Sequence, residues 1–243
     1  MRITACFKTD KLPFAYRLGV LSIIKECLKK GDSGLYKSYF QTNRPKPYAF
    51  SVYLHDFRFQ ETEISLSGFD LHITSPDYQF IIPFLNGLQK TTQFRYKQYL
   101  FHRGSIRFGN EQKVHSSRIL VRTLSPILIE NERHQPLSPH DPAYNDQFLA
   151  ISNRISQSLR GQSLKSFVKI TPVSTKKVVI KELNDSYLKA REEQRVSSDY
   201  LFFTAYQGRF MLEGDPSDLQ WLVDVGCGLR TGQGFGYIQV ESE

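Results

Sequence analysis

Residues 48–74, YAFSVYLHDFRFQETEISLSGFDLHIT, alternate apolar and polar side chains from Tyr48 to Phe59 and again from Glu63 to Thr74. Alternation of period two puts successive residues on opposite faces of a strand, with one face buried. A polar turn joins the two runs, so the stretch reads as a β-hairpin. Upstream, Arg2 to Phe7 has strand-forming residues, and Leu12-Pro13-Phe14 turns into a segment where Leu18, Val20, Leu21, Ile24 and Leu28 recur at helical spacing. Gly31 and Gly34 end that helix, and Leu35 to Phe40 forms a short turn or helix. Downstream, Ser75-Pro76-Asp77 starts a second helix, whose apolar stripe is Phe80, Ile81, Phe84, Leu85 and Leu88, and Gln93 to Phe101 returns as a strand.

Strand, helix, two strands, helix, strand is the split βαβ order of a ferredoxin-like fold. A second pass of the same kind follows residue 115: strand Arg118 to Glu130, helix Ala143 to Leu159, one or two strands within Lys165 to Glu182, strand Tyr200 to Glu213, helix Asp215 to Val223, and strand Tyr237 to Glu241. Asp215-Pro216 sets proline in the first turn of the last helix, where its missing N–H is harmless. The predicted architecture is α+β, with two tandem ferredoxin-like (βαββαβ) domains at 1–115 and 116–243. Strong sequence repetition between the halves is not visible, so this duplication rests on element order. Asn131 to Pro142 reads as a loop and Glu192-Glu193 as a polar turn.

The chain has 32 Lys plus Arg against 24 Asp plus Glu, a net charge of +8 that favours polyanionic partners through counterion release. Its 40% hydrophobic content is enough to bury a core and excludes global disorder. Cys6, Cys27 and Cys227 have neither disulfide nor zinc spacing, and no metal or cofactor is expected. No apolar run approaches the length of a membrane span, which leads to the expectation of a reducing cytoplasm and no membrane partner.

The sharpest local feature is Gly226-Cys227-Gly228-Leu229-Arg230-Thr231-Gly232-Gln233-Gly234-Phe235-Gly236. Closely spaced glycines let a backbone approach a ligand and aim N–H groups at an anion, here a phosphate or an RNA backbone. A loop packed tightly for structural reasons is the competing reading. A dinucleotide fold needs a helix and an acid after the glycines, and a Walker loop needs Gly-Lys-Ser or Gly-Lys-Thr; neither is present.

Three segments together carry a family resemblance. The glycine-rich loop ending in Gly-Gln-Gly-Phe-Gly near residue 236, Arg122-Thr123-Leu124-Ser125-Pro126-Ile127, and Phe84-Leu85-Asn86-Gly87-Leu88 resemble, in order and spacing, motifs of the CRISPR-associated repeat-processing endoribonucleases, of the repeat-associated mysterious protein superfamily. The resemblance covers essentially the whole chain. It implies two ferredoxin-like domains that bind CRISPR repeat RNA and cut the precursor transcript without metal. In that family a ribose 2′-hydroxyl attacks the adjacent phosphate, leaving a 2′,3′-cyclic phosphate and a 5′-hydroxyl.

In register with that family, Phe40 stands where a histidine is usual, Lys25 where a tyrosine stands, and Lys46 matches the lysine. Some members lack the histidine and cut with lysines and an arginine near the glycine-rich loop, which points to Arg230. The resemblance thus implies a catalytic set of Lys25, Tyr39, Lys46 and Arg230, with Tyr39 positioning the 2′-hydroxyl; the competing reading of Lys25 is a solvated helix lysine. The implied RNA contacts are Gly226, Gly228, Arg230, Thr231, Gly232, Gln233, Gly234 and Gly236 of the loop, with Lys37, Arg103 and Lys169.

Arg95, Lys97, His102, Arg103 and Arg107, interleaved with Phe94, Tyr96, Tyr99, Phe101 and Phe108, suit either RNA stacking or a sheet with one core face and one basic face. The run Lys165, Lys169, Lys176, Lys177 and Lys181 suits a strand pair flanking an RNA stem, or simply a solvated face. Phe40 keeps two alternatives open: a repeat-RNA binder without cleavage, and a structural subunit of an RNA-guided effector. Other effector subunits and a second copy of the chain stay open as partners.

Overall fold

The computed structural model describes residues 1–42, 44–183 and 200–243, without the side chain of residue 183; Glu192-Glu193, read as a polar turn, lies outside them. The first unit runs β1 (Arg2–Lys8), β2 (Lys11–Pro13), α1 (Tyr16–Gly31), α2 (Ser33–Phe40), β3 (Ala49–His55), β4 (Arg58–Phe59), β5 (Glu63–Ser65), β6 (Gly68–Thr74), α3 (Tyr78–Lys90), β7 (Gln93–Tyr96) and β8 (Tyr99–Gly109). The second runs β9 (Arg118–Thr123), α4 (Tyr144–Arg160), β10 (Lys169–Leu183), β11 (Tyr200–Glu213), α5 (Pro216–Val225), a 3₁₀ turn (Thr231–Gln233) and β12 (Ile238–Ser242).

The sheets order as β3-β6-β1-β8-β7 and β10-β11-β9-β12. Apart from the β7 edge, each places its first strand between the third and fourth and its second strand at the edge, with antiparallel neighbours throughout. Both are ferredoxin-like, and the duplication shows in topology where it is invisible in sequence. In β1 the alternation sorts Ile3, Ala5 and Phe7 into the core, and in β9 it sorts Ile119 and Val121. Each unit has its own apolar cluster, the first beneath α1 and α3, the second beneath α4 and α5.

The expected hairpin forms, but with shorter ladders. Strand β3 pairs β6 from Ala49↔Thr74 to His55↔Gly68, while β5 leaves to pair with β2 through Leu12↔Ile64 and with β4. Asp56 at φ 48 breaks the ladder, and the alternation continues beyond it because the excursion is itself a three-stranded sheet. Leu12-Pro13, expected as a turn, is part of that sheet. The strand expected over Gln93 to Phe101 is a tight hairpin, turned at Lys97 with φ 54. Strand β9 stops at Thr123 instead of continuing to Glu130, because Pro126 has no N–H to extend a ladder; pairing resumes as isolated bridges, Ile127↔Tyr206 and Glu130↔Pro136. The loop after it is pinned by the Asn131 side chain, which accepts from the N–H groups of Arg133 and Gln135.

Helix α3 is capped by the Asp77 carboxylate, which accepts from the Gln79 N–H. It crosses α1 with almost no separation. A Cβ on Gly87 would lie 1.8 Å from the Cys27 carbonyl oxygen, and one on Gly31 1.9 Å from that of Pro83.

Candidate active site

The glycine-rich loop of the second unit docks on the first. The Tyr48 ring is fully buried and stacks on Phe80 at 4.4 Å, and its hydroxyl donates to the Gly232 carbonyl at 3.3 Å. A Cβ on Gly232 would lie 2.9 Å from Cγ of Lys46, so the bare backbone is what lets the loop seat against that lysine. Arg17 of α1 donates to the Gly234 carbonyl at 3.4 Å, stands 5.7 Å over the Phe235 ring and pairs with Glu182 at 3.6 Å.

The Ser-Pro segment holds the loop from below. Gly236 N–H donates to the Pro126 carbonyl, Tyr237 N–H to the Ser125 hydroxyl, and Leu229 N–H to the Leu128 carbonyl. The N–H groups of Gly226, Cys227, Gln233 and Gly234 also donate to carbonyls of the protein. Most of the loop therefore turns its donors inward and packs tightly, with Gly226, Gly228, Gly232, Gly234, Gly236 and Thr231 buried; Arg230 and Gln233 are its exposed residues. Six of the loop's eleven N–H groups are thus spent on the protein's own carbonyls, and the turn displays the Arg230 and Gln233 side chains.

Beside the loop, Lys25 and Lys46 flank one aromatic ring. Nζ of Lys25 lies 5.4 Å and Nζ of Lys46 5.8 Å from the Phe40 ring centre, distances at which a ring quadrupole attracts an ammonium. The two positive ends also repel one another. Burial first, and the Lys25 charge second, lower the Lys46 pKa. Nζ of Lys46 donates to the Arg44 and Thr42 carbonyls at 2.6 and 3.2 Å, which fixes its place near the end of α2.

Of the other residues singled out from sequence, Tyr39 donates its hydroxyl to Asp77 at 2.9 Å, and burial followed by that carboxylate raises its pKa. Its hydroxyl therefore ties α2 to the cap of α3. Arg230 takes a left-handed φ of 59, stacks 4.5 Å over Phe203 and donates to the Gln233 side chain at 2.9 Å. Lys37 is exposed on α2. Arg103 donates to the Thr91 and Gly104 carbonyls at 2.9 Å each, a clasp on the end of α3. Lys169 is exposed at the start of β10, opposite Glu213, about 40 Å along the strand from the Glu182 end that meets Arg17. Phe94, Tyr99 and Phe101 are core residues, so that aromatic-basic run sorts into an apolar and a solvated face, with Phe108 left exposed. Arg17 and Tyr48 were missed because nothing local marks them; they act through a loop 217 and 184 residues away, respectively. Among the described residues no group of side chains could hold a metal ion, and no helix is long and apolar enough to cross a membrane.

The family model for the C-terminal part of CRISPR associated protein Cas6 matches residues 109–240, more than half of the chain. The chain belongs to the Cas6 family. Among solved structures, a Cas6-related protein from Pyrococcus furiosus superposes with a TM-score of 0.82 at 19% identity, over 100% of this chain and 99% of that one. A protein described as a RAMP protein binding different RNA substrates gives 0.79 at 20% identity, over 99% of each chain. A Cas6 product complex gives 0.66 at 12% identity, over 98% of each. No curated protein matches the sequence. At these identities the Cas6 likeness establishes the shared fold, and the chemistry has to be argued from the site itself.

Proposed function

We propose that this Cas6-family chain binds CRISPR repeat RNA and cleaves it without metal, with Lys46 and Lys25 supplying the positive charge at the scissile phosphate. The observation that carries the reading is the convergence of two lysines on the Phe40 ring, directly against the loop at Gly232. Residues 1–115 and 116–243 act as two domains in this reading: the first supplies the lysines and the exposed Lys37 of α2, the second the loop that displays Arg230 and Gln233 to the RNA.

The nucleophile is the substrate's own 2′-hydroxyl. Its proton passes to water as the 2′-oxygen bonds to phosphorus, the bond from phosphorus to the 5′-oxygen breaks, and Lys46 donates its proton to that oxygen. The products are a 2′,3′-cyclic phosphate and a 5′-hydroxyl. Lys25 stabilises the added negative charge on the phosphorane. A lysine of lowered pKa is a better proton donor than an ordinary one, but no histidine takes the 2′ proton, so the reaction is slow. Tyr39 contributes by holding α2, and with it Phe40, in place. Incubation of the repeat RNA in EDTA tests this: cleavage should proceed, and a 2′-deoxy substitution at the scissile nucleotide should stop it. Products that require a divalent ion, or that survive the deoxy substitution, would sink the mechanism.

The Lys46 proton sets a pH dependence. The rate rises with pH as the 2′-hydroxyl becomes easier to deprotonate, and bends over where Lys46 loses the proton it must donate, below the ordinary lysine value of about 10.4. In Lys25→Gln the repelling charge is gone, so Lys46 holds its proton longer: the bend should move to higher pH while the overall rate falls. A bend that stays in place in this variant would remove Lys46 from the proton transfer.

The placement of Phe40 favours a second reading, repeat-RNA binding without cleavage, since an aromatic ring occupies the centre of the site where no proton can be exchanged.

A further inference from the structure

The helix-free face of the second sheet carries a concavity of about 320 Å³, lined by Arg122, Lys176, Arg209 and Glu241 among others, none of them a residue of the Phe40 site. Gly208, in its lining, has φ +139, and a Cβ there would lie 2.0 Å from the Ser174 carbonyl oxygen, so only glycine fits beside the β10 bulge; the Gly208 N–H donates to the Thr123 hydroxyl at 2.9 Å. Glycine inside a strand commonly marks such a bulge or a close approach by a ligand.

Arg122 and Arg209 are direct cross-strand partners. Like charges in that relation destabilise a sheet, and these guanidinium groups are about half exposed, with side-chain exposures of 51% and 55%. Neither is explained by packing. An anion relieves the repulsion: the Glu241 carboxylate takes two hydrogen bonds from Arg209, at 2.6 and 3.3 Å, and lies 3.9 Å from Arg122. Arg122 also donates to Gln239 at 3.0 Å, which fixes its head over the dent. One carboxylate leaves three cations undercompensated, since Lys176 has no ion pair among the described residues.

The two oxygens that Glu241 offers to Arg209 have the same fork geometry as the two free oxygens of a phosphodiester. We propose that this concavity is a subsite for a backbone phosphodiester of the RNA, held by Arg122, Arg209 and Lys176, with Glu241 occupying the arginines until the RNA displaces it. The subsite rests on the RNA reading above and adds to it a contact separate from the cleavage chemistry.

The probe is repeat RNA carrying a 2′-deoxy scissile nucleotide, titrated by fluorescence anisotropy over a salt series. Arg122→Gln with Arg209→Gln should weaken binding about tenfold and flatten the slope of log affinity against log salt by about 0.7, the share of one phosphate on a single strand. Lys176→Gln, on an edge strand and free of ion pairs among the described residues, should act in the same direction by a smaller amount and guards against misfolding of the double variant. Glu241→Gln, by removing the internal competitor, should tighten binding about threefold, most at low salt. Unchanged affinity and slope in the arginine and lysine variants, or weaker binding by Glu241→Gln, would overturn the subsite. If the unsubstituted protein does not bind the repeat at all, the RNA reading itself fails and the subsite with it.

Discussion

Replacing Lys46 with alanine should lower the single-turnover rate of repeat cleavage by about 100-fold or more while changing RNA affinity by only a few fold. The ammonium acts on charge that exists only once the 2′-oxygen has begun to bond to phosphorus, so its loss falls on the chemical step. Alanine also removes the methylene stem that the loop at Gly232 packs against, with Cγ and Cβ at 2.9 and 3.0 Å from the site of a Cβ on that glycine. Lys46→Met separates the two effects, because it keeps most of the stem and loses only the charge. Equal losses in both variants, measured under excess protein with electrophoresis of labelled RNA, place the effect on the ammonium. Recovery of cleavage in Lys46→Met would mean that the lysine only supports the loop.

The second large effect is on stability. Gly87→Ala should destabilise the protein by about 3 kcal/mol or more, read from the midpoint of denaturant unfolding at unchanged slope. In an exposed helix the same change stabilises by about 1 kcal/mol, because alanine is the better helix former. Here the added methyl would lie 1.8 Å from the Cys27 carbonyl, a backbone atom that moves only if α1 and α3 separate. Separation would disturb packing shared by Ile23, Ile24, Phe84 and Leu88 in the core of the first unit. A midpoint that rises with alanine would show that the two helices are not in contact at this point.

Period-two and helical spacings were enough to read both units, because each strand has one buried face and each helix one apolar stripe. Errors fell where the chain departs from simple pairing: the Asp56 break, the Lys97 turn and the Pro126 stop, each set by a single residue's backbone geometry or missing donor. The short family-like segments were visible, but their purposes were not. Asn86-Gly87 marks a helix crossing, and Ser125-Pro126 a clasp on the terminal loop through Gly236 and Tyr237. Several of the loop's glycines also serve close packing, Gly232 against Lys46 and Gly234 against Phe50. Within the candidate site, Lys25 and Lys46 do come together, whereas Arg103 and Tyr39 turned out to hold helices. Arg103 looks like any basic strand residue until the end of α3 is placed beside it, a contact that spacing along the chain does not encode.

The cation pair on Phe40 is the centre of the functional reading, and product analysis under single turnover tests it most directly. With excess protein and EDTA, the repeat RNA should yield one upstream fragment ending in a 2′,3′-cyclic phosphate and one downstream fragment beginning with a 5′-hydroxyl. RNA that is bound yet recovered intact after prolonged incubation would contradict it and leave a binding protein in its place.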